Sequence, residues 1–260
     1  MFKILKYSFY DLIRSRWALI YTLFYAVLTI SLLALSGGMS KVIISLMNVI
    51  LVLVPLIATM FGVMYYYNSR EFTELLLSQP LRRTSIFFGQ YLGVALSLSL
   101  SLLIGVGLPF VVYGFWGSSD IQNFTMLLVV GVFLSFIFSA MAFFVALCHE
   151  NRIKGFGLAI LAWLFFAVIY DGLFLLVLAM YNDYPLENVA IGASMFNPID
   201  LSRILILLQL DISALMGYTG AVFQHFLGNT TGMLLSFIVL LLWVFIPALA
   251  VGRVANRKDF

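Results

Sequence analysis

Six stretches of the chain are apolar at nearly every position: 17–36, 42–66, 86–113, 124–147, 156–180 and 233–252. Each has about 20 residues or more, the length a helix needs to cross roughly 30 Å of hydrocarbon. A different pattern comes before the first stretch. From Phe2 to Arg16, Lys3, Lys6, Tyr10 and Arg14 recur on one helical face, and Leu5, Phe9, Leu12 and Ile13 on the other. That spacing predicts an amphipathic helix lying along a membrane surface.

A second charged run, NSREFTELLLSQPLRR over 68–83, separates the second and third stretches. Asn68 with Glu71 three residues on reads as a capping box, and Pro80 ends the helix. Leu75, Leu76 and Leu77 give it an apolar side; Arg70, Glu71, Glu74, Arg82 and Arg83 give it a charged one. Two uses fit: a connector at the lipid headgroups, or a helix that docks a soluble partner.

The longest polar interruption is 181–232. Asn197-Pro198 is a helix-start signal, a cap followed by proline at the first helical position. Ile199–Leu210 follows and is too short to span, so it is expected at the interface or dipping into it. Asp211 or Ser213 can cap a second helix over Ala214–Phe226. Asp183, Glu187, Asp200 and Asp211 would make this loop acidic, either to hold a partner or to close the bundle. The pattern as a whole predicts an all-α polytopic membrane protein. It has a single membrane domain over 1–260, six transmembrane helices, an amphipathic N-terminal helix, a short charged helix and a helical loop.

Composition agrees. The 260 residues are 63% hydrophobic and 10% charged, where an ordinary soluble domain is about a quarter charged. Charge placement adds orientation. With six spans, Lys3, Lys6, Arg14, Arg16, Arg70, Arg82, Arg83, Arg152, Lys154, Arg253, Arg257 and Lys258 share one side, and only Lys41 and Arg203 lie on the other. The positive-inside rule then puts both termini in the cytoplasm, with the 68–83 helix beside the N-terminal one. Basic residues used this way set topology and are no signal for nucleic acid. No cleavable signal peptide is apparent, because the first apolar run is long enough to span.

Within the third span, Gly89, Gly93, Ser97, Ser101 and Gly105 follow one another at intervals of four. They form a small-residue ladder on one helix face, suited to close approach by another helix, within the chain or across a dimer. Asp171, in Tyr170-Asp171-Gly172, falls in the outer half of the fifth span. A carboxyl there is costly and should pair or meet water. It is a conduit or switch position, or a group solvated near the interface or bonded to a neighbouring helix. Arg203 is a candidate partner.

The chain's own chemistry is sparse. No GxxxxGK[ST] loop is present to cradle phosphates, so the chain does not hydrolyse ATP. One cysteine, Cys148, excludes an internal disulfide. His149 and His225 fall on opposite sides of the membrane, and the methionines are scattered, so no metal site is expected. A membrane-embedded hydrolase would need reactive residues facing one cavity, and the acids here lie mostly on loops without a nucleophile beside them.

Several segments carry a resemblance. Arg14-Ser15-Arg16-Trp17, leading from the amphipathic helix into the first span, resembles the opening of a type-2 ABC transporter permease. Leu53-Val54-Pro55-Leu56-Ile57, Leu75 to Arg83, and Phe88-Gly89-Gln90-Tyr91-Leu92-Gly93 are similar to that family's second span, coupling helix and third span. Asn197-Pro198-Ile199-Asp200-Leu201-Ser202-Arg203 and Tyr170-Asp171 resemble segments of the permeases that serve nitrous-oxide-reductase maturation. The segment before the coupling helix, 68–74, lacks that group's usual glycines.

The resemblance implies a permease in the bacterial inner membrane, acting as a homodimer of six-span subunits. Its partners would be a cytosolic ABC ATPase (NosF-like), which holds the ATP and Mg, and a periplasmic β-helix protein (NosD-like). Lys6, Arg14, Arg70, Glu71, Glu74, Arg82 and Arg83 would couple to the ATPase. Asn197, Pro198, Asp200 and Arg203 would dock the outer partner. The permease would then transmit ATP hydrolysis to copper–sulfur site assembly in nitrous oxide reductase, a denitrification enzyme, with no cofactor of its own. No ladder of soft ligands crosses the membrane, which argues against copper as cargo. The alternative is an ABC-2 type exporter of a lipid or small molecule, sharing the ATPase but not the outer docking.

Overall fold

The computed structural model describes residues 1–36, 38–113, 120–180, 187–210 and 217–257, and among these every regular element is helical. In chain order they are α1 (Phe2–Ile13), α2 (Arg16–Leu35), α3 (Met39–Asn68), α4 (Arg70–Leu77), α5 (Arg83–Val112) and α6 (Ile121–Cys148). Then come α7 (Arg152–Leu164), a π-helical turn (Phe165–Ile169), α8 (Tyr170–Met180), α9 (Glu187–Met195), α10 (Pro198–Leu210) and α11 (Gly217–Arg257). Six helical stretches among the described residues are long and apolar enough to cross a membrane: α2, α3, α5, α6, the run from α7 into α8, and α11.

Their alternation gathers the basic residues at one end. Lys3, Lys6, Arg14, Arg16, Arg70, Arg82, Arg83, Arg152, Lys154, Arg253 and Arg257 lie where α1, α4 and the α6–α7 turn meet. We call this the basic end. Lys41 and Arg203 lie at the other, and Lys258 is outside the described residues.

The core is α3, α5 and α6. Ile50, Val54, Leu98, Leu102, Val130 and Leu134 are fully buried among them. Lipid is as apolar as these side chains, so close packing rather than removal from water holds such helices together. The α3–α6 crossing shows how close: a Cβ added to Gly62 would stand 2.7 Å from the Ala142 Cβ. α2 is peripheral and turns Leu19, Ile20, Leu23, Val27 and Ile30 outward. The fifth span is more peripheral still, and beyond Ala159 none of its residues through Val177 is buried.

The ladder on α5 packs within the chain. A Cβ on Gly89 would meet Ile4 at 3.0 Å, one on Gly93 would meet Ser8 at 2.5 Å, and one on Gly105 would meet the Thr22 carbonyl oxygen at 2.7 Å. The first two rungs therefore seat α1 and the last seats α2, with Ser97 and Ser101 buried between them. α1 is thus clamped on the bundle through Ile4, Ser8 and Leu12.

Three sequence expectations need correction. The second span runs through Asn68, so Asn68 ends α3 instead of capping α4; Ser69 holds the cap position and makes no side-chain cap bond. The fifth span starts earlier, at Arg152, where the Asn151 side chain accepts from the Ile153 and Lys154 amides. The separate helix expected over 214–226 does not end at Phe226. From Gly217 onward the chain is one helix of 41 residues through the last span, because nothing between them breaks it. The proposed caps Asp211 and Ser213, and the acid Asp183, lie outside the described residues.

Candidate functional site

The basic end presents α4. Thr73 is buried, and Gln90 Nε2 donates to its Oγ1 at 2.8 Å, fixing α4 to α5. Phe72 stacks on Tyr7 with ring centroids 4.7 Å apart, fixing it to α1. The inward face is therefore Phe72 and Thr73 with half-buried Leu76 and Leu77, while Leu75 is 67% exposed and leaves the predicted apolar side. Arg70, Glu71 and Glu74 point to solvent. Arg70 Nε donates to Glu74 Oε1 at 3.0 Å across one turn. With both side chains more than half exposed, such a pair adds about 0.5 kcal/mol at most. Lys6, Arg14, Arg82 and Arg83 are exposed at the same end, Lys6 lying 6.0 Å from the Tyr10 ring centroid.

One joint connects α4 to the fifth span. Tyr67, in the last turn of α3, donates its hydroxyl to the His149 carbonyl at 2.7 Å, with the Asn151 carbonyl at 3.4 Å. Gly155 on α7 lies directly against the Tyr67 ring, which leaves no room for a Cβ. The start of the fifth span is thus pinned to the residue two positions before the α3–α4 break.

The second half of that span meets α9 and α10. These two helices are bent by 111° at the Phe196-Asn197 break. α10 turns back into the bundle against α11 and α6. Leu201, Ile204, Leu205, Ile206, Leu207 and Leu208 are all buried. Ile204–Leu208 is apolar around a full turn, and such a turn requires a buried site.

Four polar residues hold the bend. Asn197 is fully buried and its Oδ1 accepts from the Ile199 amide at 3.0 Å, the expected cap. Its Nδ2 donates to the Phe166 carbonyl at 2.9 Å, with Asp200 and Asp171 carboxylate oxygens at 3.3 and 3.4 Å. Phe166 belongs to the π-helical turn. Such a turn displaces carbonyls from the α-helical ladder, and here one is bonded by the neighbouring helix instead. Arg203 Nη1 donates to Asp200 Oδ1 at 2.9 Å and Asp171 Oδ2 at 3.2 Å. Two carboxylates thus share one guanidinium. Burial pushes the Asp200 carboxyl up to about 7, the Asp171 carboxylate adding to the rise and Arg203 and Asn197 opposing it. The Tyr170 hydroxyl donates to the Ala193 carbonyl at 2.6 Å, and Trp243 Nε1 on α11 to the Met195 carbonyl at 3.0 Å.

The expected Asp171–Arg203 partnership is present. Asn197, Pro198 and Asp200 face inward and not onto an open acidic surface, because their polar atoms satisfy the bend. Several residues of this path were not singled out from the sequence: Tyr67, Phe72, Thr73, Gln90, the π-helical turn and Trp243. Gln90, a lone amide in an apolar span, carried a readable signal. The π-helical turn carried none. Among the described residues no group of three or more His, Cys, Asp or Glu side chains could hold a metal ion.

The fold describes a membrane-embedded bundle with a soluble-facing helix at one end, and comparison places it near the ABC permeases. No family model matches the chain. It is 27% identical over 226 residues to a probable ABC transporter permease of Stutzerimonas stutzeri, covering 81% of this chain and 78% of that protein. It is 26% identical over 223 residues to one of Pseudomonas aeruginosa, covering 80% and 81%. Both likenesses, nearly end to end, support an ABC permease subunit. The permease that the chain resembles in both cases is NosY.

Proposed function

We propose that this chain transmits the work of a cytosolic ABC ATPase across the bacterial inner membrane to a periplasmic partner, for assembly of the copper–sulfur sites of nitrous oxide reductase. The observation that carries the reading is the bonded path between the two ends. α4 exposes Arg70, Glu71 and Glu74. It follows Tyr67, which holds the start of the fifth span. From its midpoint onward that span carries the Phe166 and Asp171 contacts that hold the α9–α10 bend. The lysine and arginine asymmetry supports a cytoplasmic basic end with both termini inside.

In this reading α4 and α1 dock the ATPase, NosF-like, through Lys6, Arg14, Arg70, Glu71, Glu74, Arg82 and Arg83. ATP and Mg stay in that partner. Two copies of this chain form the membrane unit. The NosD-like β-helix partner sits over the 181–232 region, and Asn197, Pro198, Asp200 and Arg203 set the shape of the surface it meets.

Co-purification tests the reading. Glu71→Arg with Glu74→Arg should abolish recovery of the ATPase while the permease stays folded, since these exposed groups carry no core contact. Undiminished recovery would overturn the docking role of α4.

A further inference from the structure

At the basic end, α1, the start of α2, the last turns of α3 and the start of α4 line an open cavity of about 350 Å³. Five of its lining side chains are aromatic, Tyr7, Trp17, Phe61, Tyr65 and Phe72, and one is a carboxylate, Asp11. The Tyr7–Phe72 stack makes one wall a rigid double ring. Asp11 has no ion-pair partner among the described residues. Aromatic faces attract cations through their negative quadrupole, most strongly where water is displaced. A carboxylate at the rim adds a full charge, so this is the make-up of an ammonium site.

Location narrows the ammonium. The cavity lies between α1 and the start of α2, whose Leu19, Ile20 and Leu23 face lipid. Trp17 is 57% exposed at this boundary, the level of the headgroup layer. Arg14 and Arg16, both exposed, flank the lining residue Ser15 in sequence. A lining carboxylate, with two exposed arginines one residue from the lining, suits a headgroup that carries both an amine and a phosphate.

We propose that this cavity binds the headgroup of phosphatidylethanolamine, with Asp11 and the aromatic walls on the ammonium and the Arg14–Arg16 turn on the phosphate. A lipid seated there touches α1, α3 and α4 together and braces α4 against the bundle. The site is independent of what the permease drives.

The full chain, equilibrated in nanodiscs of equal phosphatidylethanolamine and phosphatidylglycerol, is analysed by native mass spectrometry. The expected result is selective retention of one phosphatidylethanolamine per chain. The preference should fall about tenfold in Asp11→Asn, as for loss of one charge-assisted contact, and persist in Glu150→Gln, a control for an exposed carboxylate at the same end. A second measurement keeps Asp11 in place: brominated phosphatidylethanolamine should quench Trp17 emission, isolated by difference from Trp17→Phe, more than brominated phosphatidylglycerol does. Equal retention of the two lipids, an unchanged preference in Asp11→Asn, or equal quenching overturns the proposal. So does retention of neither lipid with Asp11-dependent cross-linking to a basic side chain of the ATPase, which makes the ligand a protein.

Discussion

α4 and α10 are both short helices set between spans, and sequence pattern alone puts both at a membrane interface. They end in opposite places. α4 has one inward edge, Phe72 and Thr73, and leaves its charges to solvent. α10 is buried along nearly its whole length, and its charged residues are used up holding its own bend. The difference lies in the residues opposite the apolar stripe. In α4 these are Arg70, Glu71 and Glu74, which water solvates. In α10 they are Ile206 and Leu207, which leave no face for water. Shared length and position thus conceal two settings: α4 leaves a charged face exposed, and α10 is held from within.

Charge insertion should break the comparison most sharply. Leu205→Glu puts an unpaired carboxylate in a fully buried position and should cost about 4 kcal/mol or more, while Leu75→Glu on α4 should stay within about 0.5 kcal/mol. Thermal unfolding in detergent measures both. Next in size is Arg203→Ala, which leaves Asp171 and Asp200 facing each other. With the Arg203 and Asp171 side chains 36% and 29% exposed, about 2 kcal/mol is expected, below the loss for a fully buried pair. The double variant with Asp171→Asn should recover part of it.

The bend also titrates. Asp200 is raised in the fold, so the folded chain keeps a proton that the unfolded chain has released. Its stabilising contribution is complete below the ordinary value of 3.8 and is lost as pH rises through about 7. Melting temperature should therefore drop between about pH 4 and pH 7, and Asp200→Asn should flatten that drop. The smallest effect sharpens the joint between the two regions: Tyr67→Phe removes one hydrogen bond to the His149 carbonyl and should cost about 1 kcal/mol. Its larger consequence, in the proposed role, is weaker response of α10 to events at α4.

Most of the span architecture is legible in the sequence, because a helix in lipid must be long and apolar and its basic loops gather on one side. The interval-of-four ladder on α5 is legible as a packing face; that its partners are α1 and α2 is not, since small residues advertise close approach but not by what. Asn197-Pro198 is legible as a helix start, and Arg203 as a partner for Asp171. The inward turn of α10 is only half legible: Ile204–Leu208 is apolar without a break, but a helix too short to span points by its length to the interface. The π-helical turn at Phe165–Ile169 has no local signature, and its bond to Asn197 joins groups 31 residues apart. Such a bond exists only once the two helices have packed.

Hydrogen–deuterium exchange of the permease bound to its ATPase, with and without trapped ATP, tests the transmission claim most directly. The account predicts that α4 amides are protected whenever the ATPase is bound. It predicts also that amides of the α9–α10 bend change exchange on ATP trapping, and that Tyr67→Phe blunts this change. Protection at α4 with no nucleotide-dependent change at 189–210 would contradict it.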